Sequence, residues 1–316
     1  MTKFISITDQ KCFLGSLLGI RSLLETHTWV SPSQITIGYI LHHRDHIEAA
    51  QLKYLRNLGV NVVTNEDLFV GDRYAGPWEA KTYLFRNTAM ESNNGDIIVL
   101  FDADLFFCRD TGSVIGSINS SHLSIAGGKD RDIEYGPNYS IYGITPAKND
   151  CYMSTSCMFL EVTDFTRDIL KHAEEVTQHA EYNGQGPYKG HGDQGVINAC
   201  IFAAKQKHPE AIRTLALPDA LWSHHWTAKE DIFRRTSTGM LLNLNYKNGD
   251  HPIFTFHRSG PFPKPWSPNF WTPNRLAHLW AIVVAAGHIE ESDKDLLTEN
   301  TQIIVERAKE LVQLFA

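Results

Sequence analysis

Two aspartates, Asp102 and Asp104, directly follow the apolar run at residues 96–101 (DIIVLF). In extended backbone, residues two apart project to the same side, so both carboxylates can converge on one point. Carboxylate oxygens suit Mg²⁺ or Mn²⁺, which usually keep positions for water and substrate phosphates. Asp-x-Asp pairs are common by chance, but ligands of open parallel sheets bind beyond the carboxyl ends of the strands. The placement therefore predicts a cation site that clamps a diphosphate.

Two later stretches also combine residue types that bind ligands. Residues 191–194 (HGDQ) open a helical pattern that continues to Ile201. Asp193 is either a helix N-cap, a position that aspartate fills well, or a functional carboxylate, and the two roles are compatible. His257 lies in an aromatic run, where a lone histidine is more often packed than ligating, and Lys264 follows seven residues later.

The elements that must position these residues follow from hydrophobic periodicity. The first hundred residues alternate short β-rich runs with helical patterns, which predicts βαβ units and a parallel sheet. We expect strands at residues 4–8, 35–41, 60–63 and 96–101, and helices at residues 15–25, 45–58 and 78–92. Gly59 would end the second helix as its C′ residue. The run at 96–101 is the best candidate for the centre of the sheet, because a continuous apolar strand is covered on both faces.

Beyond residue 110 the pattern loosens. Residues 126–150 are rich in Gly, Asp, Asn and Pro, which predicts a loop insertion. We expect a helix at residues 165–180, a second loop at 183–192 and a closing helix at 304–315. These segments predict a second half that continues the fold without a flexible linker.

Composition narrows the class of protein. The 316 residues are 42% hydrophobic and 21% charged, and the formal net charge is -7. These values are typical of a soluble globular protein, and the lack of a basic block argues against a nucleic-acid partner. The first residues (MTKFISIT) enter a strand pattern without a signal peptide, and no segment approaches the ~18 apolar residues of a membrane span. We therefore expect a cytoplasmic protein with no transmembrane segment.

Three stretches carry a resemblance to a known family. IVLFDADLFF at 98–107, HGDQGVIN at 191–198 and FHRSGPFPKPW at 256–266 occur in the order found in GT-A fold glycosyltransferases. They most closely resemble the glycogenin-like retaining family eight, over roughly residues 4–266. The resemblance implies an α/β, Rossmann-like fold with a mixed, mainly parallel sheet flanked by helices. It also implies one continuous domain, with a nucleotide-binding half at 1–110 and an acceptor-side half with C-terminal helices at 111–316.

The resemblance implies a hexosyltransferase that takes a hexose from a nucleotide-diphosphate sugar, with uridine as the expected base. The acceptor would be a glycan, a lipid-linked sugar or a protein, and transfer would retain the anomeric configuration. Asp102, Asp104 and His257 would bind Mn²⁺ or Mg²⁺, and Lys264 would contact the donor phosphates. One extra residue separates Gly260 from Lys264 compared with the usual family pattern.

Four further residues receive roles from the same resemblance. Asp193 and Gln194 would lie beside the transferred sugar as catalytic residues. Lys81 would point from its helix at the donor, although a solvated lysine is an alternative. Thr8 and Asp9 would grip the nucleoside, although Asp9 equally suits a cap of the next helix.

Two segments bear on the sugar and acceptor contacts that the resemblance implies. Where the family usually has Asn-Ala-Gly, this chain has Ser-Thr-Ser-Cys at 154–157, which predicts different sugar or acceptor contacts there. The aromatic run at 221–226 (LWSHHW) offers ring faces to an acceptor sugar, although such aromatics more often pack in a core.

Three alternative functions remain open. An inverting GT-A transferase would use Asp193 as the base that deprotonates the acceptor. A sugar-1-phosphate nucleotidyltransferase should carry a glycine-rich loop with a basic residue directly after the first strand, which residues 8–15 (TDQKCFLG) lack. A non-catalytic nucleotide-sugar-binding module would be expected to lose an acidic metal ligand, whereas Asp102 and Asp104 are both present.

Overall fold

The computed structural model describes residues 1–70, 73–74, 77–121, 124–131, 144–147, 150, 152–179, 192–217, 222–224, 245–246, 251–252, 255–257, 287 and 289–315. The strands are β1 (Thr2–Asp9), β2 (Ile35–Ile40), β3 (Asn61–Thr64), β4 (Phe69–Val70), β5 (Arg73–Tyr74), β6 (Ile97–Phe101), β7 (Leu105–Phe107), β8 (Ile125–Arg131), β9 (Tyr152–Glu161), β10 (Thr214–Leu217), β11 (Trp222–His224), β12 (Asn245–Tyr246), β13 (His251–Pro252) and β14 (Thr255–His257). The helices are α1 (Phe13–Thr26), α2 (His46–Leu58), α3 (Pro77–Met90), α4 (Gly112–Ser121), α5 (Asp164–His179), α6 (Gly192–Lys207) and α7 (Glu299–Phe315). Short 3-10 helices occupy Pro32–Gln34 and Glu291–Leu296.

A seven-stranded sheet in the order β10-β8-β9-β6-β1-β2-β3 organises the chain. Neighbours β6, β1, β2 and β3 pair in parallel, as do β8 and β10. Strand β9 runs antiparallel between β6 and β8. The predicted mixed, mainly parallel sheet flanked by helices is confirmed. Among the described helices, none combines the length and the apolar character needed to cross a bilayer.

Strand β6 separates two hydrophobic cores. Its alternate residues Ile97, Val99 and Phe101 pack in one core, with side chains of α1, α4 and α7. Ile98 and Leu100 pack in the other core, with side chains of α3, α5 and α6. Because successive side chains of a strand point to opposite faces, both faces of β6 must be apolar. This explains the uninterrupted run that identified the strand in the sequence.

Capping residues and hydrophobic periodicity correctly predicted the strands and helices of the first hundred residues. Helix α2 is capped by Asp45, whose side chain accepts hydrogen bonds from the backbone N–H groups of Ile47 and Glu48. It ends at Gly59, which adopts φ 86° in the left-handed region that glycine tolerates without strain. The four strands and three helices expected in the first hundred residues are all present.

The loop predicted at residues 126–150 is wrong at its start, where β8 lies between β9 and β10 in the sheet. Its glycines suggested a loop, but a Cβ at Gly127 would lie 3.3 Å from the Cβ of Met153. Glycine therefore permits the close approach of β8 to β9, and tertiary packing overrides its low strand propensity. Most of the remaining predicted loop, and residues 183–191 of the second, lie outside the described residues.

His27 joins the end of α1 to the segment between β7 and α4. Its Nε2 accepts a hydrogen bond from the Thr111 backbone N–H at 2.9 Å, and its Nδ1 lies 2.7 Å from Thr26 Oγ1. The ring is fully buried and makes edge contacts with Phe4 and Phe107. An Nε2 that accepts a hydrogen bond carries no proton, so this network requires the neutral imidazole.

We expect stability to depend on pH through His27. Burial lowers the pKa of His27 to about 4, partly offset by the nearby Asp110 carboxylate. The unfolded chain therefore binds a proton that the folded chain excludes, and stability falls as the pH drops from about 6.5 towards 4. The loss should reach about 2–3 kcal/mol by about pH 4.5, at ~1.4 kcal/mol per pKa unit.

Urea unfolding at about pH 7 and about pH 4.5 measures this loss, with His27→Gln as the non-titrating variant. The variant should be less stable at neutral pH, because a glutamine cannot reproduce the ring contacts. Its stability should nevertheless change less with pH than that of the wild type. Equal pH dependence in both proteins would contradict a neutral buried His27.

Candidate active site

Asp102 lies at the carboxyl end of the central strand β6. Its backbone N–H donates to the carbonyl of Ser156 at 2.9 Å, which extends the pairing of β6 with β9 by one residue. Its carbonyl then accepts from the N–H of Leu105 at 3.0 Å, so the chain turns through residues 103–104 before β7. The extended backbone expected at Asp102 and Asp104 is therefore wrong, and a tight turn sets the directions of the two carboxylates. Both residues are partly exposed at this edge of the sheet.

The side chain of Lys81, on α3, meets residues from three other elements. Its Nζ lies 2.6 Å from Asp102 Oδ1 and 2.9 Å from Asp193 Oδ2 at the start of α6. It also donates to Thr155 Oγ1 of β9 at 3.1 Å. Because the residue is only 7% exposed, the solvated-lysine alternative is wrong. We call Lys81, Asp102, Thr155 and Asp193 the lysine–aspartate cluster.

Charge compensation keeps the Lys81 ammonium ionised. Burial tends to lower the pKa of Lys81, but the charges and hydrogen bonds of Asp102 and Asp193 raise it, and the net value lies above that of an ordinary lysine. The ammonium thus stays protonated at neutral pH. One positive charge is shared by two carboxylates, which leaves a net negative site at the edge of the sheet.

The start of α6 contributes both residues expected beside a sugar. Gly192 opens the helix with φ 48°, and Asp193 lies in its first turn. The carboxylate of Asp193 accepts from Thr155 Oγ1 at 2.8 Å as well as pairing with Lys81. Gln194 Oε1 accepts from the backbone N–H of Thr155 at 3.1 Å. Asp193 and Gln194 are thus both fixed against β9, and the carboxylate of Asp193 belongs to the cluster.

Asn198 anchors this end of α6 to the sheet. Its Oδ1 accepts from the Met153 N–H at 2.9 Å, and its Nδ2 donates to the Met153 carbonyl at 2.7 Å and to the Gln194 carbonyl at 2.8 Å. The side chain is fully buried with both its amide groups engaged. A buried amide satisfied in this way fixes the register between two elements, so it holds Gln194 in place relative to β9.

His257 is brought to the same edge by a three-stranded sheet with the strand order β11-β14-β7. Strand β14 pairs antiparallel with β7, and His257 lies opposite Leu105, the residue after Asp104. The side chain of His257 and the whole of Lys264 lie outside the described residues. Among the side chains that the structure does describe, no three His, Cys, Asp or Glu residues are grouped to hold a metal ion. Carboxylate and imidazole ligands suit Mn²⁺, and the backbone placement of His257 fits such a set.

Thr8 and Asp9, at the end of β1, belong to a separate polar group. Asp9 Oδ1 accepts from the backbone N–H of Cys12 at 2.7 Å, at the entrance to α1, and Asp9 Oδ2 lies 3.6 Å from His42 Nε2. Thr8 is buried, and its hydroxyl donates to the carbonyl of Asp9 at 3.3 Å. The hydrogen bond from Cys12 therefore supports the alternative in which Asp9 stabilises the start of the next helix.

Thr155 is the cluster residue for which no individual role was predicted from the sequence. The signal was a run of three hydroxyl residues, Ser154 to Ser156, inside an otherwise apolar segment. All three are buried in β9, and the hydroxyls of Ser154 and Ser156 lie 2.8 Å apart. Because buried hydroxyl groups need partners, such a run indicates a polar site within a strand.

No family model and no curated protein matches this sequence. Solved structures do match. Galactosyltransferase LgtC in complex with donor and acceptor sugar analogs has a TM-score of 0.55 at 14% identity, over 94% of this chain and 100% of that chain. The bifunctional glycosyltransferase WbbM has a TM-score of 0.59 at 14% identity, over 97% of this chain and 51% of that chain. Glycosyltransferase GlyE of Streptococcus pneumoniae TIGR4 has a TM-score of 0.50 at 13% identity, over 99% of this chain and 64% of that chain.

The chain has the GT-A fold. At these identities the likeness extends to the fold, since one fold hosts many chemistries and function must be argued from the site. The likeness in fold covers almost the whole of this chain.

Proposed function

We propose that this protein is a metal-dependent glycosyltransferase. It moves a hexose from a nucleotide-diphosphate sugar, with UDP as the expected nucleotide, to a carbohydrate-containing or protein acceptor with retention of configuration. The observation that carries the proposal is that Asp102, Lys81 and Asp193 meet at one point. The Nζ atom of Lys81 lies 2.6 Å from Asp102 Oδ1 and 2.9 Å from Asp193 Oδ2. Asp102 directly follows β6, Lys81 lies on α3 and Asp193 lies on α6, in a chain with the GT-A fold.

The reaction needs charge stabilisation at the leaving nucleoside diphosphate. Asp102, Asp104 and His257 would hold the divalent cation, which when bound neutralises the diphosphate as it leaves. Lys264 would add a second positive charge at the phosphates. Lys81 is fixed between Asp102 and Asp193, so it sets the distance between the cation side and the sugar side of the site.

Asp193 and Gln194 are assigned to the transferred sugar. Their positions are defined by hydrogen bonds to Thr155, so they can present fixed polar atoms to sugar hydroxyls. LgtC has been solved as an active-site variant in which a glutamine is replaced by glutamate. A glutamine in the active site of a protein with this fold supports the role given to Gln194.

The expected stereochemical outcome is retention. An inverting enzyme needs a carboxylate free to take the acceptor proton, and that general-base role is worth ~10²–10⁴ in rate. Asp193 Oδ2 is already bound by Thr155 and Lys81, which supports sugar binding rather than proton abstraction. We expect Asp193→Asn to lower turnover, and any product that it forms should keep the wild-type anomeric configuration.

Proton NMR of the product, read from the anomeric coupling constant, tests this outcome. An inverted product from the wild type would overturn retention and promote Asp193 to catalytic base. That result would leave the metal-dependent transfer itself standing.

A donor screen tests the activity and separates it from the alternatives. Purified protein is incubated with UDP-glucose, UDP-galactose or UDP-N-acetylglucosamine and Mn²⁺, and release of UDP is measured with and without added saccharides. The proposal expects metal-dependent release from at least one donor. Pyrophosphate formation from UTP and a sugar 1-phosphate would instead identify a nucleotidyltransferase. Donor binding without release would identify a binding module.

A further inference from the structure

Trp78 lies on α3 one turn before Lys81. Residues three apart on a helix share a face, so the indole and the ammonium project to the same side of α3. Their environments differ sharply, because Trp78 is 56% exposed whereas Lys81 is 7% exposed. This face of the helix therefore runs from an exposed aromatic ring to the buried floor of the lysine–aspartate cluster.

The indole also borders the start of α6. A Cβ built on Gly192 would lie 3.4 Å from Cε3 and 3.5 Å from Cδ2 of Trp78. Gly192 has φ 48°, a conformation in which a side chain would be strained, and it immediately precedes Asp193. The bare glycine thus lets the ring approach the helix start, and Trp78 forms a rim beside the residues assigned to the sugar.

Two other aromatic side chains are exposed among the described residues, Trp29 and Phe165, and their contacts lie elsewhere in the fold. Trp29 donates through Nε1 to Asp110 at 3.0 Å and packs against His27. Phe165 packs against the ring of His208, with centroids 5.3 Å apart. Neither contact involves a residue of the lysine–aspartate cluster. Trp78 combines exposure with a position beside Gly192, the residue that precedes Asp193 of the cluster.

We propose that the indole of Trp78 binds a sugar ring of the acceptor. This inference rests on the proposed function and deepens it. A pyranose presents a face of C–H groups that packs on an aromatic ring, which carries partial negative charge on its face. The transferred sugar lies next to Asp193, at the buried end of this face. This is because the bond that breaks joins the sugar to the diphosphate, which the cation holds at Asp102. The group at the exposed rim is then the one that approaches from solvent, which is the acceptor.

The test compares Trp78→Ala, Trp78→Phe and the wild type in UDP release. The assay uses the UDP-hexose that the donor screen finds active, with Mn²⁺, and takes lactose, cellobiose and maltose as acceptor probes. We expect Trp78→Ala to raise the KM of the best acceptor about tenfold and to change the KM of the donor less than about twofold. Trp78→Phe retains a ring and should lie between the two. Circular dichroism and melting temperature check that the variants fold.

Phe165→Ala is the matched control, because Phe165 is also an exposed aromatic, at 44%, and lies on α5. It should match the wild type in both KM values. An unchanged acceptor KM in Trp78→Ala, an equal rise in donor KM, or no stimulation of the wild type by any saccharide would overturn the role of Trp78. No UDP release from the wild type with any donor would overturn the proposed function itself.

Discussion

Replacing Lys81 with methionine is expected to reduce turnover about 10²–10³-fold, the usual cost of removing one preorganised electrostatic group from an active site. Methionine keeps most of the side-chain volume but removes the charge that holds Asp102 and Asp193 together. The two carboxylates would then repel each other and move apart, and both the cation side and the sugar side of the site would lose their geometry. Steady-state kinetics in the UDP-release assay measure the effect, and a turnover within about twofold of the wild type would contradict it.

The same substitution should reduce stability in a pH-dependent way. Breaking a buried ion pair by removing one partner costs about 3–5 kcal/mol. We expect less here, because the side chain of Asp102 is 31% exposed and solvent screens it. Without Lys81, repulsion raises the pKa of one carboxyl, so the loss is largest at neutral pH and shrinks as acid protonates that group. Urea unfolding at about pH 8 and about pH 5 measures both values.

The Lys81 ammonium of the wild type should not itself titrate in this range. The pKa of Lys81 in the folded protein is raised above its ordinary value. Its stabilisation is therefore complete below about pH 10.5 and is lost only as the pH rises through the folded-state pKa. The difference between wild type and variant from pH 5 to 8 then reports the two aspartates alone.

Two further variants make the stability test specific. Lys171→Met removes an exposed lysine that pairs with Asp168 at 3.2 Å on α5, and it should change stability by less than about 0.5 kcal/mol. Lys81→Met combined with Asp193→Asn removes both an ammonium and a carboxylate, so it should be more stable than Lys81→Met alone. If the two substitutions are additive instead, Lys81 and Asp193 are not energetically coupled.

How far the sequence predicts this site depends on whether the signal is local. The position of Asp102 followed from the apolar run before it, because a strand buried on both faces has an unmistakable pattern. The start of α6 at Asp193 followed from the return of helical periodicity. Both are properties of neighbouring residues in the chain.

The cluster itself depends on tertiary contacts that no local pattern carries. Lys81 occupies an ordinary helical position, and its burial results from the packing of α3 against α5 and α6. Thr155 lies in a strand that the sequence did not predict, because its hydroxyl residues interrupt the apolar run. The turn after Asp102 is local, because the N–H of Leu105 donates to the carbonyl of Asp102 three residues earlier. Residues that are distant along the chain decide the first two features, so they require the fold.

The metal assignment rests on Asp102 and Asp104, and their substitution by asparagine is the second change with a large expected effect. Loss of an outer partner of a metal ligand typically costs ~10–100-fold in metal affinity, so removing a charged ligand should cost at least that. We expect Asp102→Asn and Asp104→Asn each to weaken Mn²⁺-dependent binding of UDP by more than about 100-fold. Calorimetry with UDP, in the presence and absence of Mn²⁺, measures the metal-dependent part directly.

The two variants should differ in stability, and that difference separates metal binding from folding. Asp102 also accepts from Lys81 at 2.6 Å, so Asp102→Asn should cost about 1.5–3 kcal/mol, the contribution of a hydrogen bond to a charged group. Asp104 is not part of the lysine–aspartate cluster, and its asparagine variant should stay closer to the wild type.

Asp110→Asn is the control. Its side chain accepts from the Gly112 N–H at 2.7 Å at the start of α4, a role that an asparagine oxygen can also fill. It should keep full Mn²⁺ dependence. Wild-type affinity for UDP and Mn²⁺ in both Asp102→Asn and Asp104→Asn would overturn the metal site, whereas loss in Asp102→Asn alone would mean that Asp102 acts by holding Lys81.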